Sequence, residues 1–195
     1  MGSECRAAGI YFTLSYCRGM NAPDLRYPVG EFRFPESVSA SELALFIDQI
    51  AETPARMRAA IAGLSDSELD TAYRPGGWTV RQLAHHLPDS HMNSYVRFRL
   101  ALTEDEPVIK PYDEARWAEL SDAHSMPVEP SLALLESLHA RWVPLLRSLS
   151  DAEWKRSFRH PELGPVRLEQ NAALYAWHGR HHVAHITSLR QRMRW

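Results

Sequence analysis

Trp177-His178-Gly179-Arg180-His181-His182-Val183-Ala184-His185-Ile186 places four histidines within eight residues. The stretch lies inside a helical pattern running from about Leu168 to Met193. A helix advances about 100° per residue. With His178 at zero, His182 falls at about +40°, His185 at about −20° and His181 at about −60°. Leu174, Tyr175, Leu189 and Ile186 fall at about −40°, +60°, +20° and +80°. His178, His182 and His185 therefore point into the apolar face, and His181 lies near its edge. Three imidazoles in a dry core each need a partner. Separate hydrogen bonds or a protein-only network would satisfy them. So would a cation, because an i, i+4 pair is how one helix offers two ligands to one metal. A third ligand from another helix leaves a coordination position open, the catalytic rather than the closed structural arrangement.

Working outward, a second group is formed by His85, His86 and His91. It lies on a helix that starts at the capping box Thr79-Val80-Arg81-Gln82 and runs to about Leu102, interrupted by Pro88. The apolar side of this helix carries Val80, Leu83, Leu87, Phe98 and Ala101. His85 falls nearly opposite that side and is expected to be exposed. His86 and His91 both lie on its flanks, and the wheel does not choose between them. A third helical pattern covers about Ser39 to Leu64, where Pro54 is expected to kink or split it. A fourth covers about Ser131 to Leu149, with Pro144 as an irregularity. A short helical piece is expected around Asp113–Leu120. Residues 23–38, rich in proline, glycine and aromatics, read as an extended arm laid over the domain. The turn Pro161-Glu162-Leu163-Gly164-Pro165 suggests a small β-hairpin within Phe158–Val166. Four long helices joined by long crossovers, without alternating strands, predict an all-α four-helix bundle.

The whole chain fits that architecture. Its 195 residues, 45% hydrophobic and 24% charged, suffice for one domain with a real core. No apolar run reaches the length of a membrane-spanning helix. A formal charge of −2 gives no field that would gather nucleic acid, and the arginines near helix ends read as solvated faces. The two cysteines, Cys5 and Cys17, both precede the body of the chain. That excludes thiolate metal sites and a cysteine nucleophile there, and suits a reducing cytosol. Residues 1–20 make a poor targeting segment and read as a disordered tail or upstream extension. Met20 is the expected natural start, and residues 21–195 form the domain.

Several separated motifs carry a family resemblance. They are Leu25-Arg26-Tyr27-Pro28-Val29-Gly30-Glu31-Phe32, Gly76-Gly77-Trp78-Thr79-Val80-Arg81-Gln82, His85-His86-Leu87, Asp89-Ser90-His91-Met92-Asn93-Ser94-Tyr95 and the Trp177–Ile186 stretch. Together they resemble the YfiT group of the DinB superfamily from about residue 25 to the end. The resemblance implies a DinB-like four-helix bundle, cytoplasmic and often a homodimer. It implies one divalent ion, zinc or nickel, held by His86, His178 and His182, with His181 and His185 as neighbours. Where the group usually has a small residue, this chain has Pro88, which deletes the amide that would bond back to the Ala84 carbonyl beside His86. The activity implied is hydrolysis of a small-molecule substrate, the ion lowering the pKa of water. Asp89 and His91 are the general-base candidates. The same superfamily implies an alternative, S-transfer from a low-molecular-weight thiol of the bacillithiol type. A non-catalytic metal-binding bundle is a further one. Tyr95 and Arg97 follow the histidine motif and are candidates to face the metal cavity. The tryptophans are read as core.

Overall fold

The computed structural model describes residues 24–195. The expectations for residues 1–20, Met20 and the two cysteines lie outside these residues. Along the chain the elements are α1 (Ala40–Ile61), α2 (Asp66–Leu69), α3 (Val80–Thr103), α4 (Glu114–Ala118), α5 (Ser121–Ser125), α6 (Glu129–Ser148), α7 (Asp151–Trp154), β1 (Ser157–His160), β2 (Gly164–Arg167) and α8 (Leu168–Met193). Four of these helices are long, and each begins where local chemistry tells it to. At α1, Ser39 and Glu42 exchange side-chain and backbone bonds. At α3, Gln82 N donates to Thr79 Oγ1 at 3.1 Å and Thr79 N to Gln82 Oε1 at 2.9 Å. Each box satisfies amide groups that a helix N-terminus leaves without partners.

The long helices form a square. α1 packs on α8 and α6, and α3 packs on α6 and α8, so α1 and α3 stand at opposite corners. The chain must therefore cross the bundle between α1 and α3 and again between α6 and α8, whereas α3 and α6 are neighbours. The hairpin β1–β2 is antiparallel, with Phe158 opposite Val166, and packs against α3 and α8. Among the described residues no helix is long and apolar enough to cross a membrane.

The apolar core is split into two. One half holds Ile47, Ile50, Phe98, Trp142, Leu146, Tyr175 and Ala176. The other holds Met57, Leu83, Leu87, Leu135, Ile186 and Leu189. Between them all four long helices contribute polar or small residues: Thr53 on α1, His86, Ser90 and His91 on α3, His139 on α6, and His178, Gly179 and His182 on α8. Gly179 lets α8 approach α1 here. A Cβ at that position would lie 2.4 Å from Thr53 Oγ1 and 2.8 Å from its Cγ2. Thr53 is short and buried, so the helices themselves must part. Gly179→Ala is accordingly expected to destabilise the fold by about 1–3 kcal/mol. A denaturant midpoint equal to wild type would show that the contact yields freely.

Two expectations need correction. α1 is not split at Pro54, nor α3 ended at Pro88: each continues as a single helix, because tertiary packing on several sides outweighs one missing backbone bond. His85 is buried, not exposed. Its Nδ1 lies 2.7 Å from Ser131 Oγ and its Nε2 lies 3.2 Å from the Met126 carbonyl. Every residue of α3 from Val80 to Pro88 is buried, since α5 and the start of α6 cover the side that the wheel leaves to solvent.

Candidate metal centre

His178 and His182 project from one face of α8, one turn apart, and His86 meets them from α3. His86 Nε2 lies 3.2 Å from His178 Nε2, and His182 Nε2 lies 3.1 Å from the same atom. Zinc held by imidazoles at about 2.0–2.1 Å in a tetrahedron needs ligand nitrogens about 3.3 Å apart. The three rings form a group able to hold one metal ion. Burial holds all three as neutral imidazoles, the form a metal requires: His86 falls to about 4, and His178 and His182 sit well below 6.5. One lone pair on His178 Nε2 accepts one well-directed proton, so hydrogen bonding joins one pair of these nitrogens well, whereas a cation engages all three at once. The donor set therefore fits the ion.

The same three rings line a cavity of about 500 Å³ together with Trp78, Ser90, Arg97, Asn171 and Tyr175. Phe34 of the arm, Glu114 of α4 and Phe158, His160, Leu163 and Val166 of the hairpin add to its walls. The arm is pinned over α8 as expected: Trp177 Nε1 donates to the Gly30 carbonyl at 2.9 Å, and Gln170 Nε2 donates to the Pro35 carbonyl at 2.9 Å. Trp78 packs on His86 with ring centroids 4.7 Å apart, so one of the tryptophans read as core is a wall of the cavity. Its place directly before the capping box of the His86 helix was the available signal.

Of the remaining candidates, all but Arg97 fall elsewhere. His91 is fully buried behind His178, with its Nε2 3.2 Å from His178 Nδ1, and is not part of the cavity wall. Asp89 is half-buried and also off the wall. Burial, followed by the charge of Asp122, raises its pKa to about 6. Arg97 does line the cavity; Tyr95 does not. His181, His182 and His185 form a second cluster, but no two of their ring nitrogens hydrogen-bond to each other. His185 Nε2 donates instead to the Arg26 carbonyl at 3.0 Å, tying down the arm. His139, absent from the sequence reading, is buried beside His91.

A profile of the DinB superfamily matches residues 49–186. The chain belongs to the DinB superfamily. A protein of Bacillus mycoides (strain KBAB4), named "Putative metal-dependent hydrolase", is 53% identical over 172 residues, covering 88% of this chain and 99% of that one. A Bacillus cereus (strain 03BB102) relative of the same name is 54% identical over the same span. The solved structure of YfiT from Bacillus subtilis superposes with a TM-score of 0.85 at 51% identity, covering 88% of this chain and 98% of that chain. That protein is described as "a probable metal-dependent hydrolase with an unusual four-helix bundle topology". The square bundle of this chain matches that four-helix topology.

Proposed function

We propose that this chain is a metal-dependent hydrolase in which His86, His178 and His182 hold one divalent ion, zinc or nickel. The observation that carries this is the meeting of three neutral ring nitrogens, 3.1–3.2 Å apart along His86–His178–His182, at the wall of an accessible cavity. The names of the relatives support it. When bound, such an ion supplies Lewis acidity and lowers the pKa of water at neutral pH. The chain's own residues do the rest. Phe34, Trp78, Phe158, Leu163 and Val166 give the cavity apolar walls that exclude bulk water from a substrate. Arg97 places a guanidinium in that wall, suited to orient an anionic group of the substrate. Glu114 lines the same cavity and offers a carboxylate to take up a proton. Asp89 serves as the base only if a rearrangement brings it into the cavity.

The test uses protein loaded with zinc or nickel, offered small esters and amides with and without an added low-molecular-weight thiol. Hydrolysate that appears without thiol and disappears on chelation supports hydrolysis. Product that carries the thiol would move the assignment to S-transfer. Arg97→Gln is expected to raise KM for a carboxylate-bearing substrate by about tenfold or more, with a smaller effect on a neutral analogue, as fits a lost charge-assisted bond worth about 1.5–3 kcal/mol. Equal KM changes for the two would remove Arg97 from substrate orientation.

A further inference from the structure

His178 is reached from behind by an unbroken line of hydrogen bonds that crosses all four long helices. On α1 the Ile50 carbonyl would ordinarily accept the amide four residues on, but that residue is Pro54, which has no N–H. The freed carbonyl accepts instead from His139 Nδ1 on α6 at 2.8 Å. His139 Nε2 lies 2.9 Å from His91 Nδ1 on α3, and His91 Nε2 lies 3.2 Å from His178 Nδ1 on α8. A carbonyl only accepts, so His139 must carry its proton on Nδ1. In a neutral ring Nε2 is then bare. That atom must accept from His91 Nδ1, which leaves His91 Nε2 bare, and His178 Nδ1 must donate to it. His178 Nε2 is thus left as a lone pair facing His86 and His182. The surroundings favour neutral rings: His91 and His139 are buried, and among the described residues no carboxylate hydrogen-bonds to any of the three, whose partners are one another and the Ile50 carbonyl.

We infer that His139 and His91 are positioning residues that transmit the direction of the Ile50 carbonyl through two rings and so fix His178 in the tautomer whose Nε2 can hold a metal ion. The inference rests on the three-histidine reading for its consequence, but the proton order along the line exists without metal. It gives one role to three otherwise separate features: the proline inside α1, the histidine inside the apolar face of α6, and the burial of His91 out of reach of the cavity. A ligating imidazole ordinarily donates its other N–H to a fixed acceptor, and loss of such an acceptor costs about 10–100-fold in metal affinity. Here the acceptor is itself a histidine whose polarity is set two rings away.

The test takes the full chain labelled with ¹⁵N at histidine, stripped of metal, and reads ring tautomers by long-range ¹H–¹⁵N correlation. Nδ1–H with a bare Nε2 is expected for His139, His91 and His178 in the wild type. An Nε2–H tautomer at His178 would overturn the inference, and this measurement decides even if variants fail to fold. His139→Leu removes the acceptor for His91. It is expected to erase the single-tautomer signature of His178 and to weaken zinc binding about 10–100-fold. His139→Gln restores an acceptor and is expected to bind zinc more tightly than the leucine variant. Leucine and glutamine variants that both bind as wild type, with the His178 signature intact, would refute the relay. Should wild type bind neither zinc nor nickel while showing the tautomer order, the hydrolase reading fails and the relay stands.

Discussion

Replacing His178 by alanine is expected to abolish stoichiometric binding of a divalent ion, with affinity falling by more than about 100-fold. The reason is its central place. His178 Nε2 is the atom to which both His86 and His182 are closest, at 3.2 and 3.1 Å. Without it the other two rings, on different helices, are left as a two-ligand set. Loss of a hydrogen-bond partner behind a ligand costs about 10–100-fold, so loss of the ligand itself must cost more. The check is metal per chain by mass spectrometry after purification without chelator, together with zinc competition titrations. His86→Ala is expected to behave likewise. His85→Ala, one residue away but turned toward Ser131 and Met126, should bind zinc as wild type does. Helical circular dichroism separates loss of ligand from loss of fold. If His178→Ala keeps one ion per chain at wild-type affinity, the three-histidine centre is not where the metal sits.

How much of this was readable from residues alone varies with how local the signal is. α8 was legible from Leu168 to Met193 because its apolar period is uninterrupted. The start of α3 was legible because a capping box is a four-residue event. The hairpin was legible because Pro161–Pro165 contains the turn. The pairing of His178 with His182 follows from helix pitch. That His86 rather than His91 stands in front of them does not, since both flank the apolar face of α3. Their order depends on α8 lying beside α3 and α6 lying behind it. His85 was misplaced for the same reason: a wheel knows one neighbour, and the first turns of α3 have neighbours on every side. His139 carried a signal that went unread. It falls on the stripe of Leu132, Leu135, Trp142 and Leu146, all buried, where a lone polar residue announces a polar partner across the core. Its partner, a carbonyl freed by Pro54 four residues on, is visible only when α1 and α6 are placed side by side.

The metal-free protein is expected to unfold on mild acidification, well above the pH at which carboxylates alone would bring it down. Seven histidines in or beside the polar layer are held neutral by burial. His86, His139 and His185 fall to about 4 and His181 to about 3, while His91, His178 and His182 sit well below the ordinary value of 6.5. Each folded pKa is below its unfolded one. Between about 4 and 6.5 the unfolded chain therefore binds more protons than the folded one, and stability must fall as pH falls through that window. Each such group contributes a slope of up to about 1.4 kcal/mol per pH unit, so a handful acting together exceeds the whole stability of a typical domain within two pH units. Asp89, raised to about 6, works in the opposite sense, its contribution growing as pH falls through 6, but it is one group against seven. The expected result is a steep cooperative loss of helix with its midpoint between pH 4 and 6.5, accompanied by uptake of several protons in calorimetry. Zinc in excess should move the midpoint to lower pH, because the ion competes with protons for His86, His178 and His182 and binds the folded chain preferentially. A metal-free protein that remains folded at pH 4 without taking up protons would show that the histidine layer is hydrated or paired in a way that burial alone does not describe.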